Sequence, residues 1–371
     1  MRALIAFDKF KDALPAAAAC EVVARVLRER HPDWTLDLCP LTDGGESFGE
    51  ILTQAAEGRM DWHQVTGPVG ATVRAPLGHV EAAMLPEAVR VRLALGPRAR
   101  LAVIGMAAAS GLERVPAGQR NPWLASSRGT GELIRIAGDA GASAILLGVG
   151  GSATNDLGLG ALSALGWSFA ADPVPANWPE IQRVGGQCIP LPPLFIACDV
   201  VNPLLGPNGA TTVFGPQKGL APADAPQLEA GMARMAALLA EAAGQSLRLA
   251  DAPGAGAAGG IAFGLMVAAG AKLVPGFDLV SDWLGLAARI TAADIVITGE
   301  GRFDATSLTG KGPGSLVRQA RTLGKAAQVF AGSLGLPDAA GYHAITPAGM
   351  PLPEALGRCG ELLAQAVGRV L

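Results

Sequence analysis

Charge, cysteine, histidine and aromatic side chains are all scarce in this sequence of 371 residues, and each shortage removes a class of protein. Only 16% of residues are charged and half are hydrophobic; a disordered or coiled-coil chain would be far more polar. The net charge of −3 offers no basic surface for nucleic acid or an anionic membrane. The five cysteines (Cys20, Cys39, Cys188, Cys198, Cys359) are odd in number and include no C-x-x-C pair. Neither a disulfide framework nor a zinc site is expected. They read as buried thiols in a reducing, cytoplasmic compartment. The four histidines (His31, His63, His79, His343) lie far apart, without the i,i+4 spacing of a helical metal site. No signal peptide is expected, because the apolar start Leu4-Ile5-Ala6-Phe7 stops at Asp8-Lys9. The uncharged stretch 255–271 is too rich in glycine for a good membrane span and reads as a helix packed inside the protein. No Walker A sequence exists, since Gly310-Lys311 lacks the upstream glycine, and the protein-kinase motifs are missing too.

What the sequence does hold is a repeated figure: a short apolar run that ends abruptly in Gly, Asp or Glu. Leu4–Phe7 runs into Asp8, Thr35–Leu38 leads to Asp43-Gly44-Gly45-Glu46, and Ala144–Leu147 runs into Gly148-Val149-Gly150-Gly151. Leu194–Ala197 leads to Asp199, and Asp294–Thr298 to Gly299-Glu300-Gly301. Helical stretches such as Pro15–Arg30, Gly129–Ala140 and Gly158–Leu165 separate them. Continuous apolar strands alternating with helices predict α/β architecture with parallel sheets. In such sheets function gathers at the carboxyl ends of strands, so Asp8, Asp43, Asp199 and Glu300 are expected to approach a common cleft. The length suggests two domains. Between Trp62 and Glu81 the pattern turns antiparallel, and the rhythm after Asp294 resembles the start of the chain. The expectation is a discontinuous Rossmann/flavodoxin-like domain of residues 1–65 and 285–371, with an α/β domain of residues 66–284 inserted.

The richest constellation is Gly148-Val149-Gly150-Gly151-Ser152-Ala153-Thr154-Asn155-Asp156, a glycine loop between a strand and a helix. Unshielded backbone N–H groups and a helix N-terminus make an anion site, and Ser152 and Thr154 add hydroxyl donors. A tight packing turn is the alternative. The loop also satisfies G-x-G-x-x-A, with Asp172 placed to accept a ribose hydroxyl, so an NAD(P)-dependent oxidoreductase competes. Against it, Asp156 sets a carboxylate close to where a pyrophosphate would bind. In Asp43-Gly44-Gly45-Glu46 two acids flank a turn that lets a ligand come close, suiting a magnesium shell or a general base. Asp8-Lys9-Phe10-Lys11 brings lysines to a strand end. Asp199 and Asn202 follow a buried strand. Gly299-Glu300-Gly301-Arg302-Phe303-Asp304, with Lys311 beyond, mixes both signs; Arg302 either neutralises phosphate or pairs with Asp304 or Glu300. The run 253–260 is a second backbone cradle or close packing. Acids gathered with glycine loops and a few cations suit Mg-nucleotide chemistry better than hydride transfer.

Taken in order, these motifs resemble the bacterial glycerate kinase family, which phosphorylates D-glycerate with ATP. The resemblance rests on Phe7-Asp8-Lys9-Phe10-Lys11, Asp43-Gly44-Gly45-Glu46, Ser127-Arg128-Gly129-Thr130-Gly131-Glu132-Leu133 and Gly150–Asp156. It continues through Asp199–Leu204, Phe214-Gly215-Pro216-Gln217-Lys218-Gly219, 253–260 and Thr298–Asp304 with Gly310-Lys311. It implies two α/β domains with a cleft between them, magnesium and ATP, and transfer to the 2-hydroxyl of glycerate. Asp43 or Asp199 is then the general base, with Lys11 and Arg302 neutralising charge. Asp8, Gly44, Gly45, Glu46, Gly150, Gly151, Ser152, Thr154, Asn155, Asp156, Asn202, Glu300, Asp304 and Lys311 bind substrate or phosphate. Asp199 and Glu300 are the magnesium ligands to expect. A catalytically silent relative is the other alternative, and a homodimer the remaining partner to expect. Phe7 stands where Pro is common, Asp12-Ala13 for Gly-Ser, Ser47-Phe48 for Gly-Thr, Leu157 for Gly and Thr306 for Gln.

Overall fold

The computed structural model describes residues 1–309, 312–336 and 340–371. Its strands are β1 (Arg2–Phe7), β2 (Thr35–Leu38), β3 (Arg59–Thr66), β4 (Thr72–Glu81), β5 (Arg100–Gly105), β6 (Ala144–Gly148) and β7 (Trp167–Phe169). They continue as β8 (Val184–Gly186), β9 (Leu194–Cys198), β10 (Lys272–Pro275), β11 (Ile295–Phe303), β12 (Ala326–Leu334) and β13 (Tyr342–Ala344). The chain forms two compact units, one of Met1–Asp43 with Val280–Leu371, the other of Gly44–Leu279. The crossing expected near residue 65 therefore lies earlier, after Asp43, and the return precedes residue 285. Strand pairing gives the reason. β3 pairs antiparallel with β4 from Arg59–His79 to Thr66–Thr72, which ties residues 44–65 to the second unit.

In the first unit the sheet order is β13-β12-β11-β1-β2, with every pairing parallel. Counted within the unit this is the 2-1-3-4-5 order of flavodoxin-like sheets, whose direction of winding reverses between β1 and β11. A ligand crevice belongs at that reversal, beyond the carboxyl ends of the two strands. Ala3 to Phe7 are fully buried, as are Val296 and Ile297, so the central strands read as unbroken apolar runs. The helix Ala16–Arg30 packs its Ala19, Val23 and Leu27 stripe on one face, and Cys359–Val370 contributes Leu363 and Val367 to the same core. Each such fully buried Leu or Ile contributes about 1.5–3 kcal/mol.

β11 is longer than the sequence suggests. β1 ends opposite Gly299, but β11 continues beside β12 to the Phe303–Leu334 pair. Gly299 permits this: a Cβ there would stand 1.8 Å from the Phe330 carbonyl oxygen. Glu300 and Arg302 therefore sit on a strand, not in a loop.

The second unit carries the order β10-β9-β6-β5-β4-β3, parallel from β5 to β10 and antiparallel at the β3–β4 end, with β7 and β8 as a separate pair. Its core joins the sheet to helices Arg128–Asp139, Ala225–Ala242 and Ala257–Ala269. That last helix is the uncharged stretch singled out above. Ala258, Gly259 and Gly260 bend its start through positive φ, and Gly259 rests on the Thr154 carbonyl, 1.9 Å from where a Cβ would be. The 253–260 glycines are thus close packing, not a cradle. Among the described residues no helix is long and apolar enough to cross a membrane.

Candidate active site

In the first unit, the switch between β1 and β11 gathers acids. Asp8 follows β1, its backbone N–H donating to the Gly299 carbonyl at 3.0 Å. Its Oδ1 accepts from the Lys9 N–H at 2.7 Å. Lys9 Nζ turns to Asp43 Oδ1 at 2.9 Å. Burial, with the charges of Asp43 and Glu300 adding to it, raises Asp8 to about 7; Lys9 opposes the shift. Burial also raises Glu300, the bond from Ser307 acting against it and Asp304 and Asp43 with it. Glu300 Oε1 is buried without a hydrogen-bond partner among the described residues. Carboxylates that disfavour one another's charge beside one lysine leave room for added positive charge.

The lysine engaged here is Lys9. Lys11, the one expected from the sequence, is exposed, with its backbone against Gly301. Arg302 takes the pairing alternative: its Nε donates to Asp304 Oδ2 at 3.0 Å. Asp304 Oδ1 accepts from the N–H and hydroxyl of Thr306, bonds that lower its pKa. Thr306, which departs from the family pattern, therefore anchors Asp304. Lys311 lies outside the described residues.

In the second unit three segments distant in sequence meet at the ends of β6 and β9. Gly150 N–H donates to the Gly44 carbonyl at 2.8 Å, and a Cβ on Gly150 would reach the Gly45 backbone at 2.7 Å. Gly44 also approaches the Ala197 carbonyl, just before Asp199. Glu46 Oε1 stands 3.0 Å from the point where Gly151 would carry a side chain. Asp199 Oδ2 accepts from the Phe277 N–H at 2.7 Å, in the first turn of the helix Gly276–Leu284. That helix start was not legible as a site element; Pro275-Gly276-Phe277 follows a short strand, and only Gly276 hints at a close approach. A Cβ on Gly276 would lie 3.0 Å from Asp199 Oδ2. Gly276→Ala is therefore expected to displace the carboxylate and lower kcat about tenfold with little change in melting temperature. Steady-state kinetics beside a thermal melt checks it, and an unchanged kcat removes the positioning role of Gly276.

The glycine loop divides into an open and a closed half. Gly151 is exposed and Gly150 half-buried. Ser152 is 7% exposed, and Thr154, Asn155 and Asp156 are wholly buried. Asp156 Oδ2 accepts from the N–H and hydroxyl of Ser127 at 2.7 Å each and from the Gly160 N–H at 3.2 Å; Oδ1 accepts from the Gly158 N–H at 3.1 Å. The anion at the start of the helix Leu159–Ala164 is thus the protein's own carboxylate. Asp156, expected to bind substrate or phosphate, is thus engaged inside the protein, at the place that the pyrophosphate of a dinucleotide would need. Asn202 is likewise a loop brace: its Nδ2 donates to the Asn208 carbonyl at 2.8 Å.

The two acids expected to bind magnesium belong to different units of the chain. Asp199 stands with the glycine loops of the second unit, and Glu300 with Asp8 and Asp43 in the first. Among the described residues no three His, Cys, Asp or Glu are arranged to hold a metal by themselves. A magnesium carried by nucleotide phosphates needs only one or two carboxylates, and the first-unit acids fit that need.

Three departures from the family pattern keep a backbone that glycine would adopt. Asp12, Ser47 and Leu157 have φ of 59°, 61° and 58°, a conformation costing roughly 1–2 kcal/mol in an L-residue. Leu157 offsets this by full burial, beside the space left by Gly260 and Gly264. Phe7 is accommodated by Gly299 and stacks on Phe10, centroids 6.2 Å apart.

Comparison with known proteins shows the family of this chain. The family model described as Glycerate kinase family matches residues 3–371. A Bacillus subtilis (strain 168) protein named glycerate kinase is 37% identical, the match covering 98% of this chain and 95% of the relative. An Escherichia coli (strain K12) protein named glycerate 2-kinase is 38% identical, covering 90% and 86% respectively. A crystal structure from Salmonella typhimurium LT2, described as a candidate glycerate kinase 2, superposes with a TM-score of 0.73 at 36% identity, covering 100% of this chain and 97% of that one. The chain belongs to the glycerate kinase family.

Proposed function

We propose that the protein transfers the γ-phosphoryl group of ATP to the 2-hydroxyl of D-glycerate, giving 2-phosphoglycerate and ADP. The observation that carries this reading is the meeting of Asp8, Asp43, Glu300 and Lys9 at the winding reversal of a flavodoxin-like sheet. One or two of the acids Asp8, Asp43 and Glu300 would hold the magnesium that accompanies the nucleotide. A magnesium ion there supplies charge neutralisation on the phosphate oxygens. Lys9 keeps Asp43 in place, and Lys11 and Arg302 add positive charge near the transferring group.

Gly44, Gly45, Glu46, Gly150, Gly151 and Ser152 form the acceptor side, where backbone N–H groups and the Ser152 hydroxyl take the glycerate carboxylate. Asp199 accepts the proton of the attacking hydroxyl. As the new oxygen–phosphorus bond forms, the bond from the γ-phosphorus to the bridging oxygen breaks and ADP leaves. The Phe277 N–H holds Asp199 Oδ2 throughout, so the carboxylate meets the hydroxyl in one orientation.

The test is ADP release from Mg·ATP with D-glycerate, L-glycerate or glycerol. Stimulation by D-glycerate is expected, and a product whose phosphorus couples to one proton identifies the 2-position, since a 3-phosphate couples to two. No stimulation from folded protein that still binds ATP overturns the reading.

A further inference from the structure

Lys218 and Asp156 are the only fully buried charged side chains among the described residues, 1% and 0% exposed, and both serve one loop. Lys218 ends the turn Pro216–Lys218, which Gly219 closes at φ 93°. A Cβ on Gly219 would lie 2.3 Å from the Arg120 carbonyl oxygen, so the turn packs closely on that backbone. From there Nζ donates to the Thr154 carbonyl at 2.6 Å and to Asn155 Oδ1 at 3.0 Å. Burial pushes the Lys218 ammonium down to about 7 against the charge of Asp156, and pushes Asp156 up against its four donors.

Burying such a pair is unfavourable, and an apolar pair of similar volume is often as stable or more so. Fold stability therefore gives no reason for a lysine here, whereas the loop above it does. Residues 150–157 are held piecemeal: Gly150 N–H by the Gly44 carbonyl, Ala153 N–H by Ser110 and Leu157 N–H by Gly259. Between the last two, Asp156 is held by Ser127, Gly158 and Gly160, while Thr154 and Asn155 are held by Lys218. Thr154 Oγ1 and Asn155 Nδ2 are buried with no partner among the described residues, so they do not fix this stretch themselves.

We propose that Lys218 is a positioning residue for phosphoryl transfer: by holding the Thr154 carbonyl and the Asn155 amide from inside, it sets how Gly150, Gly151 and Ser152 are presented to the acceptor. The substrate in this statement rests on the kinase reading; the hold on the loop rests on geometry alone. Lys218 touches no reacting atom and acts through the loop.

Lys218→Met keeps most of the stem and removes every N–H donor. In ligand-free protein, hydrogen–deuterium exchange at residues 150–157 is expected to quicken about tenfold or more, with β5, β6 and β9 unchanged. With D-glycerate, kcat should fall about thirtyfold and KM for glycerate rise, while KM for ATP stays within about twofold. A merely structural defect would instead lower protection across the unit and leave both KM values unchanged for the fraction still folded. Unchanged exchange at 150–157 overturns the proposal whether or not the protein phosphorylates glycerate. Faster exchange with an unchanged kcat overturns it as well. Faster local exchange in a protein whose wild type is inactive overturns the kinase reading and upholds the hold on the loop. If Lys218→Met does not fold, Lys218→Gln takes its place, keeping an N–H donor on a shorter stem. Failure of both to fold overturns the proposal, because Lys218 then serves the whole unit.

Discussion

Asp199→Asn lowers kcat by about 10²–10⁴-fold, the range that loss of a general base produces, and leaves both KM values within about threefold. The substitution preserves size, and its amide oxygen still accepts from the Phe277 N–H that holds Asp199 Oδ2. Only the ability to take a proton disappears. Asp43→Asn should behave differently, because Asp43 is paired with Lys9 and stands with Asp8 and Glu300. Its expected signature is a higher magnesium requirement. Steady-state kinetics of both variants across a magnesium series separates the roles. Normal turnover by Asp199→Asn, with collapse of Asp43→Asn at saturating magnesium, would move the base role to Asp43.

Asp8→Asn is expected to damage activity and strengthen the fold at once. The Asp8 carboxyl has an ordinary value of 3.8 but keeps its proton to about 7 in the fold, because burial and neighbouring carboxylates disfavour its charge. Between those values the folded state binds more protons than the unfolded one. Stability contributed at this position therefore falls as pH rises through that interval and stays lowered above it. The neutral amide removes the penalty. In magnesium-free buffer at pH 8 the variant should be about 1–3 kcal/mol more stable than the wild type, after allowing for the exposed part of the group. At pH 4 the difference should nearly vanish. Activity should fall about 100-fold, with a raised half-saturating magnesium concentration. Denaturant unfolding at the two pH values checks the first claim. A variant less stable at pH 8 than at pH 4, relative to wild type, would contradict it.

The parts of this protein legible in the sequence are those that obey local rules. Apolar runs stopped by an acid or by glycine located β1, β6 and β9, because a strand buried on both faces shows its length directly. The helices Ala16–Arg30 and Arg128–Asp139 followed for the same reason. The limits of the two units did not, since the pairing of β3 with β4 decides them and pairing is not local. The end of β11 was hidden because Gly299-Glu300-Gly301 spells a turn unless a carbonyl such as that of Phe330 lies close enough to require glycine.

The glycine loop shows the same limit at the site. Its letters are identical whether Asp156 faces a ligand or the interior, and only the donors from Ser127, Gly158 and Gly160 decide. The awkwardness of a carboxylate beside a pyrophosphate was the one local sign. Lys218 gave none. It sits in a recognisable motif, yet nothing in Gly215-Pro216-Gln217-Lys218-Gly219 says that its charged end is buried.

The division of the first unit between the two ends of the chain constrains the order of its assembly. β1 draws its parallel neighbours from β2, some thirty residues on, and from β11, nearly three hundred residues on. As the chain leaves the ribosome, all of Gly44–Leu279 emerges and can close its own sheet before β11 (Ile295–Phe303) is free to pair. Ala3 to Phe7, apolar on both faces, must meanwhile wait with one edge uncovered. Residues 2–7 are thus made before the whole second unit and are among the last to find their place. A ribosome stalled with Leu279 just outside its exit tunnel should carry a protease-resistant Gly44–Leu279 and a cleavable segment 1–43.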